Sequence, residues 1–341
     1  MSEMSSPALV LIVVDAAYDP ASDLWSIDER STLARVASLG HISPIAHART
    51  RDAAALKLWQ VGALDALGLT AQRAQLPSAA LSQLGESGRI PPATEYWAHL
   101  ECVHFAPGMS DVAAAALAGA AALTEQDRAE LAATLGPHLA SSGYELVTGR
   151  AEWRVRCPRA LEVQTLPPAL AFEAPLKEAL PSGADAAELR RLMTEMQMLL
   201  HEHPVNARRA RGGLPAANAT WMWSVASLAR EISSSPLPAA FGDEPYLKGL
   251  YLLHSQTMQA ESFDVSVLRE SAQASPMTIA LVKPDAVAAL EGDWLLPLFD
   301  ALRSGVFAQL IVYFDRWRFA LRRRELLRFW RRPLPPSRWP L

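Results

Sequence analysis

Ala8-Leu-Val-Leu-Ile-Val-Val14 is the stretch that decides the fold class of this chain. Its residues are apolar without interruption, mostly β-branched or leucine, and the run stops at Asp15. A strand that is apolar without alternation is typical of a parallel sheet with helices on both faces. The run therefore predicts a central strand of a wound, mostly parallel sheet in an α/β protein.

Helices that could cover such a sheet follow at once. Thr32 to Leu39 and Ala53 to Leu67 read as helices, and Gly40 and Gly68 supply the residue type that commonly ends one. The sequence therefore alternates between strand and helix, as an α/β fold requires.

The clearest helix begins after Asp185 and ends near His201, because Pro204 disfavours helical backbone in the residue before it. Its predicted apolar face is spaced by three and four residues and consists of Leu189, Leu192, Met193, Met196, Leu199 and Leu200. We interpret these methionines as core residues.

The remaining predicted elements follow from local signals. They are a helix from Thr124 to about His138 that opens with a Thr124/Asp127 capping box, a hairpin of Tyr144–Thr148 and Trp153–Cys157 around Gly149-Arg150, a strand Met277–Val282, a helix Trp294–Leu302 closed by Gly305, a strand pair Phe307–Phe314 and Trp317–Leu321, and a last basic helix Arg322–Arg332.

Domain organisation is predicted from composition. Residues 1–315 form the α/β region, with a candidate internal boundary in the proline-rich stretch 158–181. Residues 316–341 form a basic, aromatic C-terminal segment. From Arg316 to Arg338 there are nine arginines and one acid, a charge of +8, so the rest of this chain of net charge −4 carries −12.

The composition of the 341 residues is that of a globular protein, with 50% apolar and 20% charged residues. The longest apolar run, Val112 to Leu123, is mostly alanine and too short to cross a bilayer. Met1 to Pro7 lacks the positive charge of a signal peptide, so we expect a cytoplasmic protein. Cys102 and Cys157 lie in no metal-binding spacing, and we expect buried free thiols.

A polar segment follows the long helix: His203-Pro-Val-Asn-Ala-Arg-Arg-Ala-Arg-Gly-Gly-Leu-Pro-Ala-Ala-Asn218, then Thr220-Trp-Met-Trp223. Its arginines, asparagines and histidine could contact an anion, since guanidinium and amide groups are good donors to phosphate or carboxylate. The candidate anion-contact or substrate-binding residues are His203, Asn206, Arg208, Arg209, Arg211 and Asn218. The alternative is a surface loop whose polar side chains satisfy its own turns.

This segment resembles the signature of cofactor-independent phosphoglycerate mutases of the archaeal type, and still more a group of bacterial mutase-related regulatory proteins. Further similar stretches occur in order on both sides of it, so that the resemblance spans about Glu95 to Pro333. They are Glu95–Phe105, Pro181–Ala186, Glu195–His201, Gly292–Trp294 and Arg323–Pro333.

The resemblance implies the wound α/β fold of the alkaline-phosphatase-like superfamily, with a transiently phosphorylated hydroxyl nucleophile and two divalent metal ions, Mn or Mg, in an active member. Such metal ions are held by aspartates and histidines at strand ends, where they lower the pKa of the nucleophile. Asp15 is the weak candidate for a metal ligand here, but Ala16-Ala17 replaces the family's glycine and no Asp-His-Gly motif occurs.

Two other positions depart from the family pattern. Glycines follow the tryptophans of the signature in the family, whereas Ser224, Val225 and Ala226 follow Trp223 here. Glu101-Cys102 stands where the family has Asp-Pro, and we interpret His104 beside it as packed or hydrogen-bonded more readily than catalytic. Both departures weaken the prediction of an active mutase site.

Other local signals point to no enzyme class. His201 and His203 are two residues apart, which excludes the spacing of a zinc-binding helix. Thr278 to Val287 is similar to the opening strand of nucleoside diphosphate kinases, but the kinases' histidine motif is absent and we treat the match as chance.

Three hypotheses for function remain open. The first is a catalytically degenerate mutase-like protein that serves as a binding or regulatory module, with a phosphorylated small molecule as a candidate ligand. The second is an active metal-dependent phosphoglycerate mutase or phosphatase. The third is a protein that binds nucleic acid, an anionic membrane surface or an acidic partner through its basic C-terminus. We favour docking of this terminus on the protein's own acidic body, because Leu326, Leu327, Phe329 and Trp330 are apolar.

Overall fold

The computed structural model describes residues 7–16, 26–45, 54–108, 112–149, 152–173, 175–228, 235–259 and 262–340. In these ranges the strands are β1 Ala8–Val13, β2 His41–Pro44, β3 Tyr96–Pro107, β4 Val112–Ala116, β5 Glu145–Thr148, β6 Trp153–Cys157, β7 Ala219–Ala226, β8 Ala239–Phe241, β9 Met277–Val282, β10 Gln309–Phe314 and β11 Trp317–Arg322. The helices are α1 Thr32–Leu39, α2 Leu58–Ala66, α3 Ser78–Ser87, α4 Glu125–Ser141, α5 Pro168–Ala171, α6 Leu176–Ala179, α7 Ala186–Leu200, α8 Pro204–Arg211, α9 Pro245–Leu253, α10 Val265–Ala274, α11 Val287–Ala289 and α12 Leu296–Ser304.

The first sheet has six strands in the order β2-β11-β10-β1-β9-β8. β1 pairs in parallel with both β9 and β10, and β8 is parallel to β9, whereas β11 and β2 join antiparallel at one edge. The predicted α/β fold with β1 as a central parallel strand is confirmed, and the sheet itself is mixed. The carboxyl ends of four parallel strands meet along one edge, which is where ligands usually bind in such sheets.

Both faces of β1 are buried, as its unbroken apolar run predicts. Leu9, Leu11 and Val13 pack into a core that includes residues of α1, α10 and α12. The alternate side chains Val10 and Ile12 pack into a second core with residues of α2, α3 and α9. Successive side chains of a strand point to opposite faces, so one short segment contributes to two cores.

The second sheet is antiparallel and is built on the long strand β3. β3 pairs with β6 and β4 on one edge and with β7 on the other, and β5 pairs with β6. Side chains of α4 and α7 cover this sheet and form a third core. The sequence predicted the β5–β6 hairpin correctly but gave no sign of a separate antiparallel sheet.

Helix α3 joins the two halves of the molecule. It contacts β3 and β7 of the second sheet on one side and packs closely against α9 on the other. Two glycines permit this approach: a Cβ atom added to Gly85 would lie 1.9 Å from the Pro245 oxygen, and one added to Gly249 would lie 1.9 Å from the Leu81 oxygen. No larger residue fits at either position without moving a helix backbone.

Several boundaries differ from those predicted. The second helix starts at Leu58, and Ala53, where we expected it to begin, lies outside the described residues, as does Arg150 of the predicted hairpin turn. The Thr124/Asp127 capping box is confirmed, although its helix α4 runs three residues past the predicted end. Leu199, expected on the apolar face of α7, is 40% exposed.

The predicted helix from Arg322 to Arg332 is wrong. Only a short 3₁₀ turn, Arg323–Leu327, forms in this stretch. Tertiary contacts override the helical pattern: the guanidinium groups of Arg328 and Arg331 donate to the carbonyl oxygens of Leu39 and Ser38 at the end of α1. Cations at a helix C-terminus stabilise its unpaired carbonyl groups.

The expectation that the C-terminal apolar side chains dock on the body is correct only in part. Leu326 packs against the first-sheet core and Trp339 is buried in it. In contrast, Leu327, Phe329 and Trp330 are exposed. Further basic side chains of this segment are tied down, since Arg316 pairs with Glu173, and Arg318 lies 3.6 Å from Asp65.

The two cysteines are buried free thiols, as expected, and burial raises the pKa of each to about 12. Among the described residues no helix combines the length and apolar character needed to span a bilayer.

Candidate functional site

The candidate anion segment is built into the second half of the fold as α8 and the approach to β7. His203 takes the N-cap position of α8, where its Nδ1 accepts from the Val205 N–H at 3.3 Å and its Nε2 lies 2.9 Å from the Thr134 hydroxyl. Both ring nitrogens are therefore engaged within the protein.

The two asparagines of the segment hold backbone groups. The Asn206 amide nitrogen donates to the Leu200 and Ala217 carbonyl oxygens at 2.8 and 3.2 Å, and its oxygen accepts from the Ala217 N–H at 2.7 Å. Asn218 exchanges two hydrogen bonds with the backbone of Phe105, each of 2.8 Å. These contacts match the alternative of side chains that satisfy their own turns.

The arginines of α8 differ in exposure. Arg209 is buried and donates to the Pro215 carbonyl oxygen at 2.8 Å. Arg208 is partly exposed and donates to Asp127 at 2.6 Å. Burial raises the pKa of the Asp127 carboxyl, but its hydrogen bonds from Arg208 and Thr124 outweigh burial and lower it. Arg211 is exposed.

The most unusual charge arrangement lies elsewhere, at the carboxyl ends of the parallel strands. Asp15 follows β1, and its two carboxylate oxygens face two different lysines. The Lys57 ammonium, at the start of α2, lies 3.5 Å from one oxygen, and the Lys283 ammonium, just after β9, lies 3.4 Å from the other. Asp15 adopts the left-handed backbone conformation with φ of 53°, which turns the chain sharply at the strand end.

Lys57 extends this arrangement into the second sheet. Its ammonium donates to Glu152 at 2.9 Å, just before β6. The other Glu152 oxygen lies 3.5 Å from Nδ1 of the buried His99 on β3. Lys283 approaches Glu244, which follows β8, at 3.8 Å. We call the set Asp15, Lys57, His99, Glu101, Glu152, Glu244 and Lys283 the lysine–carboxylate cluster.

His99 connects the cluster to a buried chain of hydrogen bonds. The Gln60 amide donates to the Ser78 oxygen at 2.8 Å, so the Ser78 hydroxyl is free to donate to Nε2 of His99 at 2.9 Å. The order of groups is that of a serine–histidine–acid relay, but Ser78 has no exposed surface and His99 is 1% exposed. No substrate can reach this hydroxyl, and Nδ1 of His99 faces Glu152 at 3.5 Å without forming a hydrogen bond.

Trp223 forms the floor of the cluster. Its indole N–H donates to Glu101 at 2.9 Å. The His99 ring stacks on it with a centroid separation of 4.2 Å, and the Lys57 ammonium lies 5.8 Å from the ring centroid. The other tryptophan of the signature, Trp221, is buried in the second-sheet core and donates to the Leu166 carbonyl oxygen.

These surroundings fix the charge states. Burial lowers the pKa of His99 to about 4, so its ring is neutral at pH 7. Burial also opposes the charge on Lys57, but the carboxylates of Asp15 and Glu152 outweigh it and raise the pKa of Lys57 well above its usual value. Burial raises the pKa of Glu244 to about 7, with Lys283 acting in the opposite direction.

Ser224 occupies the position at which the resembling family has glycine, and its φ of 56° is left-handed. Strain of about 1–3 kcal/mol is expected there for a residue with a Cβ. Three hydrogen bonds offset it: the hydroxyl donates to the Ala54 carbonyl and accepts from the Ala79 N–H, and the Ser224 N–H donates to Thr165. The serine thus fastens the start of α3 to β7.

A cavity of about 1030 Å³ opens beside the cluster at the strand ends. Its charged lining comprises five carboxylates and two lysines, namely Glu86, Asp243, Glu244, Asp285 and Asp293 with Lys248 and Lys283. Phe263 and Trp294 contribute aromatic surface to its wall. Glu86 is held by the buried Arg154 at 2.6 Å, and Asp243 by Lys248.

The residues at the strand ends do not fit the metal ions that the resemblance implies. Both oxygens of Asp15 face ammonium groups, Asp315 after β10 pairs with Arg316, and the imidazole of His99 directs its nitrogens at Ser78 and Glu152. Over the ranges that the structure describes, no group of three His, Cys, Asp or Glu side chains is arranged to hold a metal.

Fold and site together define a mixed α/β protein with a lysine-neutralised acidic cluster at the ends of its parallel strands. No protein-family profile matches the chain. The 2,3-bisphosphoglycerate-independent phosphoglycerate mutase of Methanothrix thermoacetophila is 47% identical over 49 residues, which is 14% of this chain and only 12% of that mutase.

Two solved structures are similar over most of the chain. The superposition on the cofactor-independent phosphoglycerate mutase from Thermoplasma acidophilum covers 92% of this chain and 89% of the mutase chain, with 14% identity and a TM-score of 0.38. The superposition on the PH0037 protein from Pyrococcus horikoshii covers 91% of this chain and 82% of the PH0037 chain, with 12% identity and a TM-score of 0.44. Both likenesses are distant.

Sequence reasoning identified Asp15 but missed its partners. Glu101 and His99 lie within the stretch that carries the resemblance, and Lys283 lies within the segment set aside as a chance kinase match. Lys57 and Glu152 stand in no motif. Only the pairing of β3 with β6 and the packing of α2 bring these residues together.

Proposed function

We propose that this protein is a catalytically degenerate relative of the phosphoglycerate mutases that works as a binding or regulatory module. The observation that carries the proposal is the pair of lysine ammonium groups on the two oxygens of Asp15, at the strand ends where the resemblance implies metal ions. An ammonium balances negative charge, but it offers no open coordination position for a nucleophile or a phosphoryl oxygen.

The burial of the cluster supports the same proposal. The side chains of Lys57 and Glu152 are 16% and 15% exposed, and both are ionised and paired. Removing one partner of a buried ion pair leaves an uncompensated charge, which is costly. Lys57 is therefore held in place by the fold itself, and a metal ion would have to displace it from Asp15.

The deciding experiment is a coupled assay for conversion of 3-phosphoglycerate to 2-phosphoglycerate with Mn²⁺ or Mg²⁺. We expect no turnover, and we expect the melting temperature to be the same with Mn²⁺ and with a chelator. Robust turnover that is abolished by Asp15→Ala and retained by Asp300→Ala, at an exposed position in the middle of α12, would establish the active mutase instead.

A phosphorylated small molecule is the ligand we propose for the module. Of the three candidate arginines, Arg211 is exposed and the Arg208 side chain is 36% exposed, whereas Arg209 is buried. Calorimetry with 3-phosphoglycerate should show binding without turnover, weakened severalfold by Arg211→Ala. Binding unaffected by both Arg211→Ala and Arg208→Ala would remove α8 as the ligand site. The cytoplasmic location expected from the sequence stays a prediction.

A further inference from the structure

The C-terminal segment presents three large apolar side chains to solvent. Leu327, Phe329 and Trp330 are 72%, 79% and 69% exposed, and the rings of Phe329 and Trp330 lie edge to face at 5.5 Å. Contiguous exposed apolar surface of this kind commonly marks an interaction site. We call residues 323–332 the arginine–aromatic tip.

The net charge of the tip is positive. Arg323, Arg324, Arg331 and Arg332 are exposed around the apolar side chains, and Arg322 precedes them. The tip has a single acid, Glu325, and the fold uses both its oxygens: one accepts from the Arg322 N–H at 2.9 Å and the other lies 3.2 Å from Arg328. The surface offered to a partner is therefore cationic and apolar at once.

The tip is also fixed to the body. Arg328 donates to the Leu39 carbonyl at 2.9 Å, Arg331 donates to the Ser38 carbonyl at 3.1 Å, and the Leu334 N–H donates to the Ala34 carbonyl at 3.1 Å. Beyond the tip, the buried Trp339 packs against Trp317. Such anchoring lowers the entropy lost on binding, because the exposed side chains already share one short, ordered stretch.

We propose that the arginine–aromatic tip docks on an anionic phospholipid surface. Tryptophan, phenylalanine and leucine partition into the boundary between headgroups and acyl chains, while arginines bind the phosphates. The aliphatic Leu327 has no role in stacking on nucleic-acid bases, and a second copy of the tip would be repelled by its like charge. With +8 on the C-terminal segment and −12 on the rest, the protein would approach such a surface tip first.

Vesicle flotation of the full chain tests the proposal, with phosphatidylcholine vesicles and phosphatidylcholine–phosphatidylglycerol vesicles compared at low and high salt. We expect binding only to the anionic vesicles, weakened by salt. Phe329→Ala with Trp330→Ala should weaken it at least about tenfold. Arg324→Gln with Arg332→Gln should weaken it roughly tenfold to thirtyfold, since each arginine near the surface contributes about fivefold.

Matched controls separate docking from general effects on the surface. Met198→Ala with Leu296→Ala removes two other exposed apolar side chains, and Arg190→Gln with Arg191→Gln removes two exposed arginines of α7. Both pairs should leave vesicle binding unchanged, and all variants should melt as the wild type does. Absence of binding to anionic vesicles, equal binding to neutral vesicles, or binding to a single-stranded oligonucleotide alone would overturn the proposal.

Discussion

Lys57 is the residue on which the lysine–carboxylate cluster depends. It contacts Asp15 and Glu152 and lies over the ring of Trp223, so one side chain joins the end of β1 in the first sheet to β7 of the second sheet. A buried ion pair of this kind adds little net stability over an apolar pair, but losing one partner is costly. When Lys57 is removed, the free energy is lost because the carboxylate of Glu152 stays buried without its partner.

Lys57→Met should therefore destabilise the fold by about 3–5 kcal/mol, measured by urea unfolding at pH 7. Adding Glu152→Gln to that variant should recover part of the loss, because the stranded carboxylate is then neutral. Lys177→Met, at an exposed lysine, is the matched control and should change the free energy of unfolding by less than about 0.5 kcal/mol. An equal effect of both methionine variants would contradict the assignment.

Glu244 gives the protein a dependence of stability on pH. Its pKa of about 7 in the folded protein lies above the usual value of 4.5, so the folded state binds the proton more tightly than the unfolded state. Its stabilising contribution is complete below about pH 4.5 and is lost as the pH rises through 7. The shift corresponds to an upper limit of roughly 3 kcal/mol.

Glu244→Gln, which mimics the protonated acid, should remove this dependence. Relative to the wild type, the variant should gain up to about 3 kcal/mol between pH 4.5 and 8, with little difference at the acidic end. Urea unfolding at several pH values measures this, with Asp300→Asn as the exposed control. Parallel stability curves for wild type and Glu244→Gln would rule out the raised pKa.

At the scale of elements, α8 connects the end of α7 to the start of β7 through side-chain hydrogen bonds. Asn206 binds the end of α7 and the approach to β7 through three hydrogen bonds, and the buried Arg209 donates to the Pro215 carbonyl oxygen before β7. The polar residues that make this segment recognisable are thus placed where the backbone would otherwise be unpaired. Buried polar groups of the backbone nearly always need such partners.

Asn206→Ala should cost about 2–3 kcal/mol in the free energy of unfolding, because the Ala217 N–H and carbonyl oxygen lose their Asn206 partner in the interior. The Leu200 carbonyl oxygen keeps the His203 N–H. Arg211→Ala lies on the exposed side of the same helix and should cost less than about 0.5 kcal/mol. Thermal and urea denaturation of the two variants make the comparison. Similar small losses for both would mean that water replaces the Asn206 amide.

The elements that the sequence predicted correctly have a local cause, whereas the errors have a distant one. The apolar run of β1 and the capping box of α4 are complete within a few residues. The tip after β11 carries a helical pattern, but its arginines are drawn to the carbonyl groups of α1. In the same way Asp15 could be found at a strand end, but no local pattern links it to Lys57 or Lys283.

At the scale of the whole molecule, the crossing of α3 and α9 sets the distance between the two halves. Gly85→Ala or Gly249→Ala places a methyl group against backbone that cannot move aside, so each should cost about 3 kcal/mol. Gly292→Ala is the control, since its Cβ would meet nothing within 4 Å. It should be neutral or stabilise by up to about 1 kcal/mol. A negligible effect at Gly85 would show that the helices can separate without loss.

Because α3 packs on β3 and β7 of the second sheet and on α9 of the other half, neither half can open without exposing the apolar side chains that this helix buries against it. Trp97 of β3 already lies in the core shared by α3 and α9. The two halves should consequently behave as one cooperative unit in amide hydrogen exchange. A ligand bound to either half would therefore slow the exchange of protected amides in both halves. Binding at one end of the molecule could thus be detected at the other end.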